Sequence, residues 1–410
     1  MKKSKSIRDE DILATLHLSG RQAAKALGVN ESSVRRRRNR LRERTRTETV
    51  DSIHNRVITL DDARELVRKS GDNPDDYSIT IKAGAYGDGK FTNQILLKEK
   101  KAEEPSWPVV QPAAPVQATP PKAAPSLIRG WKTAVIWADT QFGFRRIDDE
   151  YIPFHDDAAI DTAWALVRDL NPHMVVGAGD IIDLPSQSRW AQEAGFAATT
   201  QKALDTTHHR MAQLREACSG EIILIEGNHD KRMQNFVETN ALAAFGLRKA
   251  GLPESWPVMS LPNLLRLDEL GIEYKDAYPA AHVWVNNNLK VEHGTKANSN
   301  GSTMQKYLRD EPHFSRAAGH SHRLELNTRT TYDRLGRIQS FGINPGCLCR
   351  VDGAVPSVNG GIDSSGNPAV VHEDWQQGVA VVRYTDDAIY PSLVPIIDGV
   401  AMFEGKVFQA

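Results

Sequence analysis

Short, unbroken apolar runs alternate with longer amphipathic ones over the C-terminal two thirds of the chain. Ala134-Val135-Ile136-Trp137, Met174-Val175-Val176 and Ile222-Ile223-Leu224-Ile225 have the pattern of strands buried on both faces. Ala158 to Leu170 and Ala203 to Ala217 space their apolar residues as helices do. Strand–helix–strand alternation implies an α/β layered fold. Folds of that kind place functional residues at the carboxyl ends of their strands.

The N-terminal third reads differently. Ile12, Leu13 and Leu16 give a first helix an apolar face, and Arg21 to Leu27 makes a second. Gly28 is a turn residue, and Asn30, Ser32 or Ser33 caps a third helix running to about Arg42. Ala24, Gly28 and Val34 stand at the spacing of a helix-turn-helix, so residues 9–48 are predicted to be a small all-α domain of that type. Residues 50–100 form a second small unit of mixed α+β character. Its helix starts at Leu60, with Asp61 and Asp62 in the first turn, and runs to Val67. Tyr77 to Ile81 alternates like a strand, Ala85 to Gly89 is turn chemistry, and Asn93 to Leu97 returns. Residues 101–127 hold seven prolines and six alanines, which predicts a semi-extended linker. Residues 128–410 form the body.

Composition narrows the class. The 410 residues are 40% hydrophobic and 25% charged, which fits a water-soluble globular protein of several domains. No apolar run reaches the ~20 residues of a membrane helix, and the charged start is followed by no apolar stretch, so neither a membrane partner nor a secretory signal is expected. Cys218, Cys347 and Cys349 cannot all pair with one another and suit a reducing cytoplasm. Residues 1–50 carry 14 Lys/Arg against 6 Asp/Glu, about +8, while the whole chain has a formal charge of −1. A basic head on an acidic body points to a polyanion, and DNA is the expected partner. In the third helix Val34 and Leu41 face the core, and either Arg37 or Arg38 lies partly between them. Arg35, Arg36, Arg38, Arg40 and Arg42 are the candidates for contact with DNA phosphates and base edges. Such heads often act as pairs, which would suit a homodimer.

Five clusters in the body carry oxygen or imidazole ligands for divalent metals. They are Ala138-Asp139-Thr140-Gln141, Gly179-Asp180-Ile181-Ile182-Asp183, Gly227-Asn228-His229-Asp230, Glu292-His293-Gly294 and Gly319-His320-Ser321-His322. Each alone would be weak: a lone Asp-Ile-Ile-Asp is usually a helix start, and a lone His-x-His is more often surface than metal site. Together, in this order, they resemble the calcineurin-like metallophosphoesterases, whose pattern is Asp-x-His, Gly-Asp-x-x-Asp, Gly-Asn-His-Asp/Glu, a later Gly-containing His motif and Gly-His-x-His. The resemblance covers about residues 130–350.

It implies a sandwich of two mixed β-sheets flanked by helices, with two divalent metal ions at the strand ends. Manganese is the first expectation, with iron, magnesium and zinc as alternatives. By position, Asp139, Gln141 and His322 would bind one metal, Asn228, His293 and His320 the other, and Asp180 both. A metal-bound hydroxide would attack phosphorus in line. His229 would contact the phosphate or protonate the leaving oxygen, with Asp183 orienting it. Gln141 departs from the family's histidine, which implies a weaker first site that favours Mn or Mg over Zn. Arg189 and Arg323 are phosphate clamps or structural arginines.

The resemblance defines a reaction class and not a substrate. Leu184-Pro185 after Asp183, and Asp230 after His229, depart from the protein phosphatase branch. A basic head, a linker and a phosphoesterase in this order looks like proteins of phages or prophages, and DNA repair exonucleases are the nearest functional analogues. The expected function is therefore a metal-dependent phosphodiesterase acting as a DNA nuclease. The alternatives are a small-molecule phosphodiesterase or phosphatase, and a DNA-binding regulator with a degenerate body. Cys347-Leu348-Cys349 reads as buried strand residues rather than a third metal site or a redox pair. His208-His209 reads as helix surface, His155 and Asp156 as helix capping, and Ala354 to Asn367 as a loop near the site.

Overall fold

The computed structural model describes residues 12, 14–15, 18, 20–45, 52–54, 56–86, 90–99, 112–122, 130–189, 193–251, 256–298, 301–334, 336–358 and 373–410. The chain divides into two compact units, Met1–Val109 and Val110–Ala410.

In the first unit, helices α1 (Gly20–Leu27) and α2 (Glu31–Thr45) are joined by a turn in which Gly28 takes φ +65°, a conformation that costs a glycine little. Ala23, Ala24 and Val34 bury against Ile12, so the small residues let the two helices approach. The predicted first helix lies largely outside the described residues. Strand β1 (Ser52–His54), helix α3 (Leu60–Lys69) and strands β2 (Tyr77–Tyr86) and β3 (Lys90–Glu99) follow, with an antiparallel sheet order β1-β3-β2. The helix extends two residues beyond the expected Val67. A capping box holds its start: Thr59 accepts from the Asp62 amide, and Asp62 accepts from the Thr59 amide. The strands are longer than read, and the turn residues 87–89 lie outside the described residues.

In the body, β4 (Lys132–Trp137), β5 (Phe144–Ile147), β6 (Glu150–Pro153), α4 (Asp157–Leu170), β7 (Met174–Gly177), α5 (Thr200–Ala217) and β8 (Glu221–Ile225) realise the predicted alternation. Next come α6 (Arg232–Asn240), α7 (Leu261–Leu264), β9 (Glu273–Lys275), β10 (His282–Trp284), β11 (Leu289–Glu292), α8 (Thr303–Asp310) and β12 (Ser315–Ala318). The chain ends in β13 (Leu324–Asp333), β14 (Gly336–Pro345), β15 (Gly378–Tyr384), β16 (Ile389–Ile397), β17 (Val400–Phe403) and β18 (Lys406–Gln409). Two large mixed sheets result, one ordered β18-β17-β16-β15-β4-β7-β8-β9 and the other β10-β11-β12-β14-β13. The fold is thus the expected mixed α/β sandwich.

The unbroken apolar runs have a simple cause. Along β4, Val135 and Trp137 pack with α4 and α5, while Ala134 and Ile136 pack with Val291, Ala317 and Ile343 of the second sheet. The period-two alternation of a strand sends its side chains to opposite faces, and both faces are covered. Each fully buried Val or Ile contributes about 1.5–3 kcal/mol of transfer free energy.

The linker was expected to run to residue 127, yet residues 112–122 lie against the body. The Val116 amide donates to His208 Nε2 (3.3 Å), Asn171 Nδ2 donates to the Lys122 carbonyl (2.9 Å), and Val116 and Ala118 pack on the main core. Residues 101–111 and 123–127 lie outside the described residues. His208 is accordingly buried, not surface: its Nδ1 faces the Leu265 carbonyl at 2.9 Å, which leaves Nε2 to accept from Val116. His209 is exposed as expected. Asp156 caps α4 by accepting from the Ala159 amide (3.1 Å), whereas His155 is buried between Phe142 and Phe144.

Candidate metal centre

All five clusters leave the carboxyl ends of parallel neighbouring strands. β4 ends into Asp139 and Gln141, β7 into Asp180, β8 into Asn228 and His229, β11 into His293, and β12 into His320 and His322. The turns are tight enough to force unusual backbone. Asp139 (φ 53°), Gln141 (47°), Asp180 (51°), His320 (69°) and His322 (56°) all occupy the left-handed region. Such residues each cost of order 1 kcal/mol and gather where structure is organised for function. Glycine is needed where the clusters touch: a Cβ on Gly227 would stand 2.2 Å from Asp180 Oδ1, and one on Gly179 would stand 2.5 Å from His293 Nδ1.

The seven candidate ligands gather in two groups, Asp180, Asn228, His293 and His320 in one and Asp139, Gln141 and His322 in the other. His293 Nε2 lies 3.3 Å from Asp180 Oδ2 and 3.1 Å from Asn228 Oδ1, and one ligand atom each from Asp180, His293 and His320 fit within 4.8 Å. His322 Nε2 lies 3.2 Å from Asp139 Oδ1 and 3.2 Å from Gln141 Nε2. His293 Nδ1 points at the Ala178 carbonyl (2.9 Å), which turns its Nε2 inward. Two buried carboxylates, Asp139 and Asp180, govern the electrostatics of the centre. Burial opposes charge on His293, but Asp180 outweighs it and raises the pKa to about 10; Asp139 does the same for His322, to about 9. Asp180 is correspondingly held low against its own burial by His293 and His229. His320 is pushed down by burial and by His293.

Does this arrangement fit two cations? Gln141 Oε1 is a buried oxygen with no hydrogen-bond partner, and Asp139 Oδ1 makes no aligned hydrogen bond, only the ion-pair approach of His322, a costly condition that a cation would relieve. The donors are carboxylate, amide and imidazole, suited to Mn, Fe, Zn or Mg. The residues present therefore fit a dinuclear centre.

Around it, His229 Nδ1 stands 3.1 Å from Asp183 Oδ1, close but not aligned as a hydrogen bond. Arg232, which the sequence reading missed, ion-pairs with Asp183, and its Nη2 donates to His229 Nε2 (3.2 Å). Burial would raise the Asp183 pKa, but Arg232 and His229 keep it low. Asp230 serves as a hub. Its Oδ1 accepts from the Ile181 and Ile182 amides (both 3.0 Å) and its Oδ2 from Gly227 (2.8 Å), so it binds the loop of Asp180 to the loop of Asn228. Burial and nearby Asp180 push its carboxyl up to about 7 despite those amides. Trp375 packs its ring 4.1 Å from His322 and, like Ser357, borders the cleft lined by Gln141, Asp180, His320 and His322. Ser357 belongs to the segment read as a loop near the site, whereas Trp375 comes from a distant segment without a motif.

Other expectations fare unevenly. Arg323 borders the cleft, but its guanidinium is taken up by Asp374 and by the Asn298 carbonyl, a structural role. Arg189 is exposed at a neighbouring cleft. Cys347 and Cys349 are buried as read, and Cys349 Sγ lies 3.7 Å from His322 Nδ1. Residues 359–367 of the predicted loop lie outside the described residues. In the head, Arg35 and Arg36 are exposed. Arg38 is turned inward: its Nη2 donates to the carbonyls of Thr15 and Leu18 (3.1 Å to Leu18), so that nitrogen is occupied within the head. The side chains of Arg40 and Arg42 lie outside the described residues. No helix among the described residues is long and apolar enough to cross a membrane.

No family model matches the chain. Among curated proteins it is similar to the Gene 54 protein of Mycobacterium phage L5, 26% identical over 275 residues, 64% of this chain and 97% of the relative. The Gene 54 protein of Mycobacterium phage D29 is 25% identical over 273 residues, with the same coverage. Among solved structures it is similar to Vacuolar Protein Sorting 29 from Cryptosporidium parvum, with TM-score 0.28 and 11% identity over 68% of this chain and 96% of that one. It is also similar to a dimetal phosphatase from Danio rerio, with TM-score 0.29 and 14% identity over 64% and 95%.

Proposed function

We propose that the chain is a two-metal phosphodiesterase of calcineurin-like type that hydrolyses nucleic acid, in a phage setting. The observation that carries the chemistry is the convergence of seven donors at neighbouring strand ends, five of them on left-handed backbone, with the orphaned buried oxygen of Gln141 among them. Asp139, Gln141 and His322 would hold one divalent cation, Asn228, His293 and His320 the other, and Asp180 both. Bound there, the pair supplies an acidified water and neutralises charge on phosphate oxygens. The chain's own groups do the rest. His229 faces the same cleft, oriented from behind by Asp183, and can donate to a phosphate oxygen or the leaving group once Arg232 releases its Nε2 and that nitrogen has taken up a proton from water. Arg232 brings a positive charge to the same edge. The exposed Arg35 and Arg36 of the basic head support a DNA substrate, and the two mycobacteriophage relatives accord with a phage source.

The test is purified full-length protein with Mn, assayed on single- and double-stranded DNA and on an aryl phosphodiester. DNA cleavage abolished by Asp180→Ala and strongly reduced by His229→Ala supports the proposal. Aryl ester turnover without DNA cleavage assigns a small-molecule diesterase instead, and DNA binding without turnover under any metal assigns a regulator.

A further inference from the structure

Beside the metal centre lies a second cleft, of about 670 Å³, between the short turn Pro185–Gln187 and helix α6. Its size is that of a small-molecule site. It meets the metal cleft at Asn228, which borders both. The helix wall has a divided character. Met233 and Val237, four residues apart, are buried, while Arg232, Asn235 and Phe236 border the cleft. Phe236 is 39% exposed, an aromatic side chain that lines the same cleft as the cations Lys231 and Arg232. Those cations are held in place from behind: Lys231 by Glu226 (3.7 Å) and Arg232 by Asp183. Tyr278 forms the wall nearest the metals, its ring 5.8 Å from that of His293.

We propose that this cleft is a nucleoside subsite, in which the base of the nucleotide esterified to the scissile phosphate stacks on Phe236. Lys231 and Arg232 then lie on the phosphate side, and Asn235 is the adjacent polar group able to bond a base edge or sugar. A cation next to an exposed aromatic face is the combination that takes a stacked base with its phosphate, and it tolerates any base because every base has a π-face. The base must be unpaired to stack in this way, so the substrate is single-stranded or frayed nucleic acid. This rests on the phosphodiesterase reading and narrows it.

The experiment compares thymidine 5′-(p-nitrophenyl phosphate) with methyl p-nitrophenyl phosphate as substrates of the full-length protein with Mn. Both release p-nitrophenolate, and neither is long enough to engage the basic head. The wild type should favour the nucleoside ester in kcat/KM. Phe236→Ala should cut that preference about 5- to 100-fold, and Phe236→Tyr should restore most of it. No wild-type preference, or a preference that survives Phe236→Ala, overturns the subsite. If neither ester is turned over with Mn, Mg, Fe or Zn, the phosphodiesterase reading fails by itself. The cleft is then judged by calorimetric titration with thymidine 5′-monophosphate against inorganic phosphate. Tighter nucleotide binding that depends on Phe236 supports the subsite, and equal binding of the two overturns it.

Discussion

Asp230 touches no predicted ligand position by its side chain, yet its removal should be among the most damaging changes in the body. The carboxylate is fully buried and accepts from three backbone amides, those of Ile181, Ile182 and Gly227. Asp230→Ala leaves three buried donors without an acceptor, at about 1–3 kcal/mol each. A water entering the vacated space recovers part of this, so the expected loss is about 3–5 kcal/mol. Asp230→Asn keeps Oδ1 for Ile181 and Ile182 but turns an NH2 towards the Gly227 amide, for about 1–3 kcal/mol. Urea unfolding followed by tryptophan fluorescence reads this well: all eight tryptophans lie at position 107 or beyond, so the head and the small α+β unit contribute nothing to the signal. Metal affinity should fall in the same order, because the loops carrying Asp180 and Asn228 lose their common anchor. A cost below about 1 kcal/mol for Asp230→Ala, or equal costs for both variants, would refute the hub reasoning.

Gln141→His replaces an amide oxygen by imidazole and should raise zinc affinity and zinc content relative to manganese; equal affinity and preference in both proteins would sink the idea of a weakened first site. Burial lowers the His155 pKa to about 4, against about 6.5 for an exposed histidine, so the unfolded chain binds the extra proton between those values. Stability should therefore fall, by up to about 3 kcal/mol, as pH drops from about 6.5 to about 4, and His155→Leu should flatten that slope in pH-dependent urea titrations. In the head, Arg35→Ala and Arg36→Ala should each reduce the salt dependence of DNA binding by about one phosphate contact. Arg38→Ala should instead lower the thermal stability of the head seen by circular dichroism, since its guanidinium holds the carbonyls of Thr15 and Leu18.

Much of the body was legible because its information is local. The apolar runs at 134–137, 174–176 and 222–225 announce buried strands, and the clusters follow directly on strand ends. Groups defined by tertiary position were not legible. Arg232 follows His229 by three residues at the start of a helix, but nothing in the sequence says that its guanidinium meets Asp183. Trp375 reaches His322 across 53 positions of chain. The proline-rich segment misled by composition. Low hydrophobicity argues against a core, but Val116 and Ala118 need only a groove supplied by another element, and buried His208 supplies the acceptor. Arg38 shows the same limit in the head, where an arginine run hides which member faces inward.

The left-handed backbone at Asp139, Gln141, Asp180, His320 and His322 acts as a filter on drift. Asn, Asp and His are the non-glycine residues that tolerate this conformation best, and β-branched ones tolerate it least. At four of the five positions, Gln141 being the exception, metal-ligating letters are thus favoured by the backbone conformation itself, and a descendant that no longer bound metal would keep many of them. Asn228 and His293 sit on ordinary backbone, so they are the positions where relaxed selection would show first.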